Sequence, residues 1–190
     1  LHELLHTLAA LITQTIDVDL CIVLLQDPMQ DTLALATCVP DLRSQAVQLQ
    51  PLQLSNTLME KLSYATQCGE LPRLHEHELE ELNPLQNVQY KTLLPIPLIV
   101  GTSCFGIINC YSSQPYHYSE DEHLMLCLIA GQTALMLKNR QHFEESVQTH
   151  KMLVKTFLSD LLMVQPGMED ILRRRAYALS FDITRPHVLV

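Results

Sequence analysis

Tryptophan is absent from this chain, and the four Phe and six Tyr make up an aromatic share of only 5%. The core must therefore be packed mainly by Leu, Ile, Val and Met. Glycine occurs five times in 190 residues, too few and too scattered for a loop that cradles phosphate. Positive charge is also short. Twelve Lys and Arg stand against 21 Asp and Glu, for a formal charge of -9. A chain of that sign repels a phosphate backbone, so this segment is not expected to bind nucleic acid by itself. No apolar run approaches the roughly 20 residues that span a bilayer, so no membrane partner is expected. The opening "LHELLHTLAALITQT" has neither the basic start nor the cleavage site of a signal peptide. G-x-S-x-G does not occur, and no catalytic residue is assigned. The chain is read as a non-enzyme.

What is present is an apolar fraction of 47%, enough for a real core. The six cysteines are Cys21, Cys38, Cys68, Cys104, Cys110 and Cys127. None forms C-x-x-C and their spacing fits no zinc framework, so no metal is expected. Reduced thiols in a cytoplasmic protein are the expectation. The first residue is not Met and the last are "RPHVLV", and the chain is read as a piece of a longer protein.

Leu1, Leu4, Leu5, Leu8, Leu11 and Ile12 recur at helical spacing and predict an amphipathic helix with one apolar stripe. "DLCIVLLQ" and "TLALATCV", broken by Asp27-Pro28, predict a hairpin. "LQLSNTLMEKLSYATQ" predicts a helix capped at Ser55 or Asn56. Irregular helical turns follow, punctuated by Gly69, Pro72 and Pro84. Tyr90 to Val100 and Cys104 to Ser112 predict two strands around a Gly101-Thr102 turn. Pro95 and Pro97 point their nitrogens the same way, which suits a sheet edge. Period two puts Phe105, Ile107, Asn109 and Tyr111 on one face of the last strand and Gly106, Ile108, Cys110 and Ser112 on the other. Gly106 is expected where something approaches the sheet closely.

Ser119 opens a helix with a capping box to Glu122. The helical pattern then runs on to "VQPG", a rod of roughly 65–70 Å if unbroken. Its first half is apolar nearly all round. Its second half carries Phe143, Val147, His150, Val154, Phe157 and Leu161 at steps of four and three, a heptad seam that wants a partner helix. Pro166-Gly167 ends the rod, and "MEDILRRRAYALS" predicts a short helix.

The order helix, strand, strand, helix, loops, strand, strand, long helix resembles a GAF domain. "LPIPLIV", "CFGIINCYS" and "SEDEHLMLCLIAGQTALML" carry the resemblance, which covers about Leu1 to Arg140. It implies an α+β fold: an antiparallel sheet with helices on one face, loops and a ligand cup on the other, and a long C-terminal signalling helix. The tail carries a second resemblance. Phe157-Leu158-Ser159-Asp160-Leu161-Leu162 and Arg175-Ala176-Tyr177-Ala178-Leu179 are similar to the segment after the sensor domain in CdaR/PucR-like bacterial regulators of sugar-diacid and purine catabolism. Ser180 departs from the Gly usual there. This resemblance implies the sensor half of a transcription regulator. DNA would be reached only through a C-terminal domain beyond Val190.

The domain division expected is 1–142 for the GAF sensor, 143–165 for a coiled-coil signalling helix and 166–190 for the start of a following domain. The cup implied by the resemblance lies against Tyr64 to Tyr90. Tyr64, Cys68, His75, Tyr90, Asn109 and Tyr111 are the candidate ligand-binding residues, with His77 nearby. A small-molecule effector is the expected partner, and a homodimer through Phe143, Val147, His150, Val154, Phe157 and Leu161 the expected assembly. No cofactor is expected. The bilin-binding members resemble one another in a Cys-His dipeptide that this chain lacks. His75 and His77 stand at i and i+2, a spacing that shares no face on a helix, so they are read as a solvated surface. Cys68 is the candidate for a redox-active thiol. Two further readings stay open: a ligand-free dimerisation module, and a GAF input domain of another signalling protein.

Overall fold

The computed structural model describes residues 1–27, 29–30, 32–41, 50–68, 72, 74–85, 90–162 and 169–179, without the side chains of 67, 68, 162 and 169. Nine elements follow in order: α1 (His2–Thr15), β1 (Leu20–Asp27), β2 (Thr32–Val39), α2 (Asn56–Cys68), α3 (Glu76–Glu81), β3 (Thr92–Val100), β4 (Ser103–Ser112), α4 (Glu120–Leu162) and α5 (Glu169–Ala178). The chain divides into two compact units, Leu1–Lys138 and Asn139–Val190. The division falls within α4.

The first unit is built on a four-stranded sheet of order β2-β1-β4-β3, with each neighbouring pair antiparallel. β1 ends where Asp27 starts a turn, its carboxylate accepting from the Met29 N–H at 2.8 Å. β3 lies at the edge, where Pro95 and Pro97 cost no ladder hydrogen bonds. Apolar side chains cover both faces. On one, Leu5, Ala9 and Ile12 of α1 and Leu126, Ala130, Ala134 and Leu137 of α4 pack on Cys21, Val23, Ile96, Leu98, Ile108 and Cys110. On the other, Leu58 and Leu62 of α2 and Leu82 and Leu85 beyond α3 pack on Leu20, Ile22, Ile107 and Tyr111.

The alternation expected along β4 fails at one place. Phe105 packs with the α1/α4 face, not with Ile107 and Tyr111. The register moves from Leu98↔Gly106 to Ile99↔Cys104, so Phe105 is an extra residue and the side-chain order flips at the bulge. Gly106 sits beside it. A Cβ there would stand 2.2 Å from the Leu24 carbonyl oxygen of β1. The close approach is thus the neighbouring strand itself. Gly101, at φ 67°, takes the left-handed conformation of the β3–β4 turn.

α4 begins as its sequence predicts. Ser119 Oγ accepts from the Glu122 N–H at 3.2 Å, and Glu122 Oε2 accepts from the Ser119 N–H at 2.8 Å. Tyr116 OH donates to the other carboxylate oxygen at 2.6 Å. These bonds hold the Glu122 carboxyl below its ordinary range, Tyr116 contributing most.

In the second unit α5 packs on α4. Phe157 is only 2% exposed and is covered by Leu172 and Ala176, with Leu161 and Leu179 at the margin. Arg175 donates to Asp160 beside them. The Pro166-Gly167 break lies outside the described residues.

Candidate functional site

The face of the sheet under α2 and α3 is where the sequence places its ligand cup. Ser55 starts α2, its Oγ accepting from the Leu58 N–H at 3.4 Å. Its main-chain N–H also donates to Glu81. Lys61 Nζ reaches Glu78 at 2.7 Å and ties α2 to α3. This brings Leu58, Leu62, Leu82 and Leu85 onto the sheet, so leucines fill the middle of the cup.

Two polar side chains are enclosed there. Asn109 is wholly buried, and its Nδ2 donates to the Leu82 carbonyl at 2.7 Å. Tyr111 OH donates to Asn83 Oδ1 at 3.1 Å and accepts from Asn109 Nδ2 at 3.3 Å. Together they latch the end of α3 to the sheet floor. Asn109 Oδ1 has no hydrogen-bond partner among the described residues. A buried carbonyl oxygen without a donor costs about 1–3 kcal/mol, so this atom is the point in the cup that a donor would satisfy. Burial pushes the Tyr111 phenol far up and keeps it a neutral donor. Tyr90 leans on Tyr111 with ring centres 5.0 Å apart, and burial raises its phenol too.

The structure thus gathers Tyr90, Asn109 and Tyr111. It does not gather the others. Tyr64 lies on the outside of α2, 69% exposed. His75 is the N-cap of α3: its main-chain N–H donates to Glu78 Oε2 at 2.7 Å in a capping box. The His75 ring stacks on His77 at 5.8 Å, because the cap residue is extended and brings i and i+2 together. No group of three metal-ligating side chains occurs among the described residues. The Cys68 side chain lies outside those residues. Sequence reasoning passed over Leu82 and Asn83, because a main-chain carbonyl and one Asn in a turn carry no pattern.

Open space on this face lies toward the hairpin end. A cavity of about 360 Å³ is bounded by Leu33, Leu52, Asn56, Met59, Ser103 and Cys104. The opposite side of the unit carries a larger groove of about 810 Å³ between α1 and α4. Leu4, Leu8 and Leu11 line it from α1, and Leu128, Ile129 and Met136 from α4. The apolar stripe expected on α1 is therefore divided. Leu5 and Ile12 enter the core, while Leu1, Leu4 and Leu11 remain exposed. Leu124, Leu128 and Leu135 are exposed as well, Leu128 to 61%.

Along the second half of α4 the expected pairing residues fall into two environments. Phe143 and His150 are exposed, and Val147 and Val154 are half-buried. Phe157 and Leu161 pack within the unit against α5. Five described cysteines are free thiols: Cys21, Cys38 and Cys110 are buried, Cys104 and Cys127 half-buried.

Among solved structures, the fold is similar to the GAF domain of an Acinetobacter phosphoenolpyruvate-protein phosphotransferase. The identity is 19%, 74% of this chain and 84% of that one are covered, and the TM-score is 0.57. The blue-light absorbing form of the Thermosynechococcus elongatus PixJ GAF domain matches at 18% identity over 78% and 90%, with a TM-score of 0.56. The GAF domain of a two-component sensor histidine kinase from Bacillus halodurans matches at 16% identity over 76% and 97%, with a TM-score of 0.52. At these identities the likeness shows the fold alone. No curated protein matches the chain. The GAF domain family model matches residues 1–137, and the chain belongs to the GAF family of sensory and signalling domains.

Proposed function

We propose that this chain is the sensory GAF module of a CdaR/PucR-like bacterial transcription regulator, working as a cytoplasmic homodimer. The observation that carries the reading is the exposed apolar face of α1 and α4. Leu1, Leu4, Leu11, Leu124, Leu128 and Leu135 are large, exposed and carried by two adjacent helices. A patch of this kind on a chain of charge -9 marks a protein-binding surface. A second copy is the occupant that fits, because α4 goes on past this face with a heptad seam. Its role is regulatory, not catalytic.

The transcription-regulator context rests on the tail segments Phe157 to Leu162 and Arg175 to Leu179. Both lie on or beside helices that pack together, and DNA would be read by a later domain. The effector reading rests on Asn109 Oδ1, a buried acceptor awaiting a donor. An effector would act only through different affinity for two geometries of the paired helices. One observation favours the second reading, a ligand-free assembly module: leucines fill the middle of the cup.

The test is light scattering on the chain and on a Leu4→Glu, Leu128→Glu double variant, with native mass spectrometry of both. A dimer that the double variant turns into a folded monomer supports the pairing face. A monomeric parent chain overturns it. An adduct seen only under native conditions supports the effector, and a clean apo dimer supports the assembly module.

A further inference from the structure

His123 and Cys127 stand one turn apart on α4, a spacing that puts both on the same helix face. Cys127 Sγ lies 3.2 Å from His123 Nε2. That face borders the core, with which it shares Ala130, and does not line the α1 groove. It lines a separate cavity of about 210 Å³ at the β3 edge, closed by Thr66 of α2, Pro72, and Pro95 and Pro97 of β3. The volume equals about seven water molecules at roughly 30 Å³ each. Among the described residues no Asp, Glu, Lys or Arg lines it, and Cys127 is its only thiol. The two β3 prolines bring no N–H to the wall. The described lining suits a small neutral molecule.

Burial pushes the Cys127 thiol up, so at rest the sulfur keeps its proton. A neutral thiol is a poor nucleophile, and a base within hydrogen-bond reach removes that limit. An imidazole is the side chain suited to the task near neutral pH. Cys104 provides the contrast within the same molecule. It too is half-buried and raised by burial, but its thiol donates to the Gly106 carbonyl at 3.4 Å, which cannot take the proton away.

We propose that Cys127 and His123 form a modification site for a small hydroperoxide entering this cavity. The proton on Sγ passes to Nε2, and the sulfur attacks one peroxide oxygen. An S–O bond forms as the O–O bond breaks. The departing oxygen takes the proton from Nε2 and leaves as water when the reagent is hydrogen peroxide. Sulfur is oxidised by two electrons and the peroxide is reduced by two. The product is a sulfenic acid on Cys127. Among the described residues no second thiol lines the cavity to resolve it as a disulfide. The new polar group sits between α4 and the sheet edge, in the helix that runs from the sensor core into the second unit. The site is independent of the cup and of the effector reading.

The test treats the chain with hydrogen peroxide and the sulfenic-acid trap dimedone, then maps the labelled peptides by mass spectrometry. Cys127 is expected to label at least about tenfold faster than Cys104, a modest share of what a positioned base contributes. His123→Gln is expected to bring Cys127 down to the Cys104 rate while the melting temperature holds. Equal labelling of the two thiols in the unmodified chain overturns the proposal, and needs no variant. A rate at Cys127 that ignores His123→Gln in a folded variant also overturns it. Iodoacetamide serves as a second probe: fast alkylation of Cys127 without dimedone labelling removes the hydroperoxide as the reagent.

Discussion

Asn109 Nδ2 donates to the main-chain oxygen of Leu82 at 2.7 Å, and this bond joins the sheet floor to the end of α3. Asn109→Ala leaves that carbonyl buried without its donor. The expected loss is about 1–3 kcal/mol, read as a lower urea midpoint at unchanged slope. Because Tyr111 OH bonds Asn83 next door, Tyr111→Phe combined with Asn109→Ala is expected to cost less than the two singles added together. Strict additivity would mean that the latch is two unrelated bonds.

Gly106→Ala puts a methyl 2.2 Å from the Leu24 carbonyl oxygen. The obstacle is backbone, so β1 and β4 must part. A cost of about 1–3 kcal/mol is expected for overpacking of this kind. Thermal melting measures it, and a variant as stable as the parent would show that the bulge yields freely.

Val147 and Val154 remain half-buried on α4 while Phe157 is taken up by α5. Replacing both valines with Lys is expected to give a folded monomer by light scattering if the seam pairs. A persistent dimer assigns assembly to the α1–α4 face alone.

Phe157→Ala empties the contact with Leu172 and Ala176. A loss of about 3 kcal/mol is expected, confined to the second unit. Hydrogen exchange of α5 amides would rise while β1 and β4 amides stay protected. Uniform loosening of the sheet would contradict the division of the chain into two units.

Three carboxyls are held below their ordinary range: Glu122 by Tyr116 and then Ser119, Glu78 by Lys61 and then His75, and Asp19 by Ser113. A lowered folded pKa stabilises the native state above the unfolded value, and that stability fades as pH falls through the folded one. Melting temperature is therefore expected to drop through the acid range. Glu122→Gln is expected to flatten part of that slope, which a melting series from about pH 7 to about pH 3 would reveal.

Legibility in the sequence followed locality. The Ser119–Glu122 box was readable because both partners lie within one turn. The strands were readable because branched residues bunch between Asp27, Gly101 and the prolines. The bulge at Phe105 was not, since it depends on where β3 stops matching β4. The cup was only half readable. Asn109 and Tyr111 stood out by their period, but Tyr64 and His75 share only a stretch of sequence with the site, and folding turns them to solvent.

By itself the sequence determined the class of fold, the edge position of the two-proline strand, the start of the long helix and the absence of nucleic-acid charge. Each depends on neighbours in the chain or on composition. Tertiary structure alone decided the division of the α1 stripe between core and groove, the claim of α5 on Phe157, and the pairing of His123 and Cys127 with a cavity at the sheet edge. Those outcomes depend on which surfaces meet across long separations, and local periodicity carries no record of that.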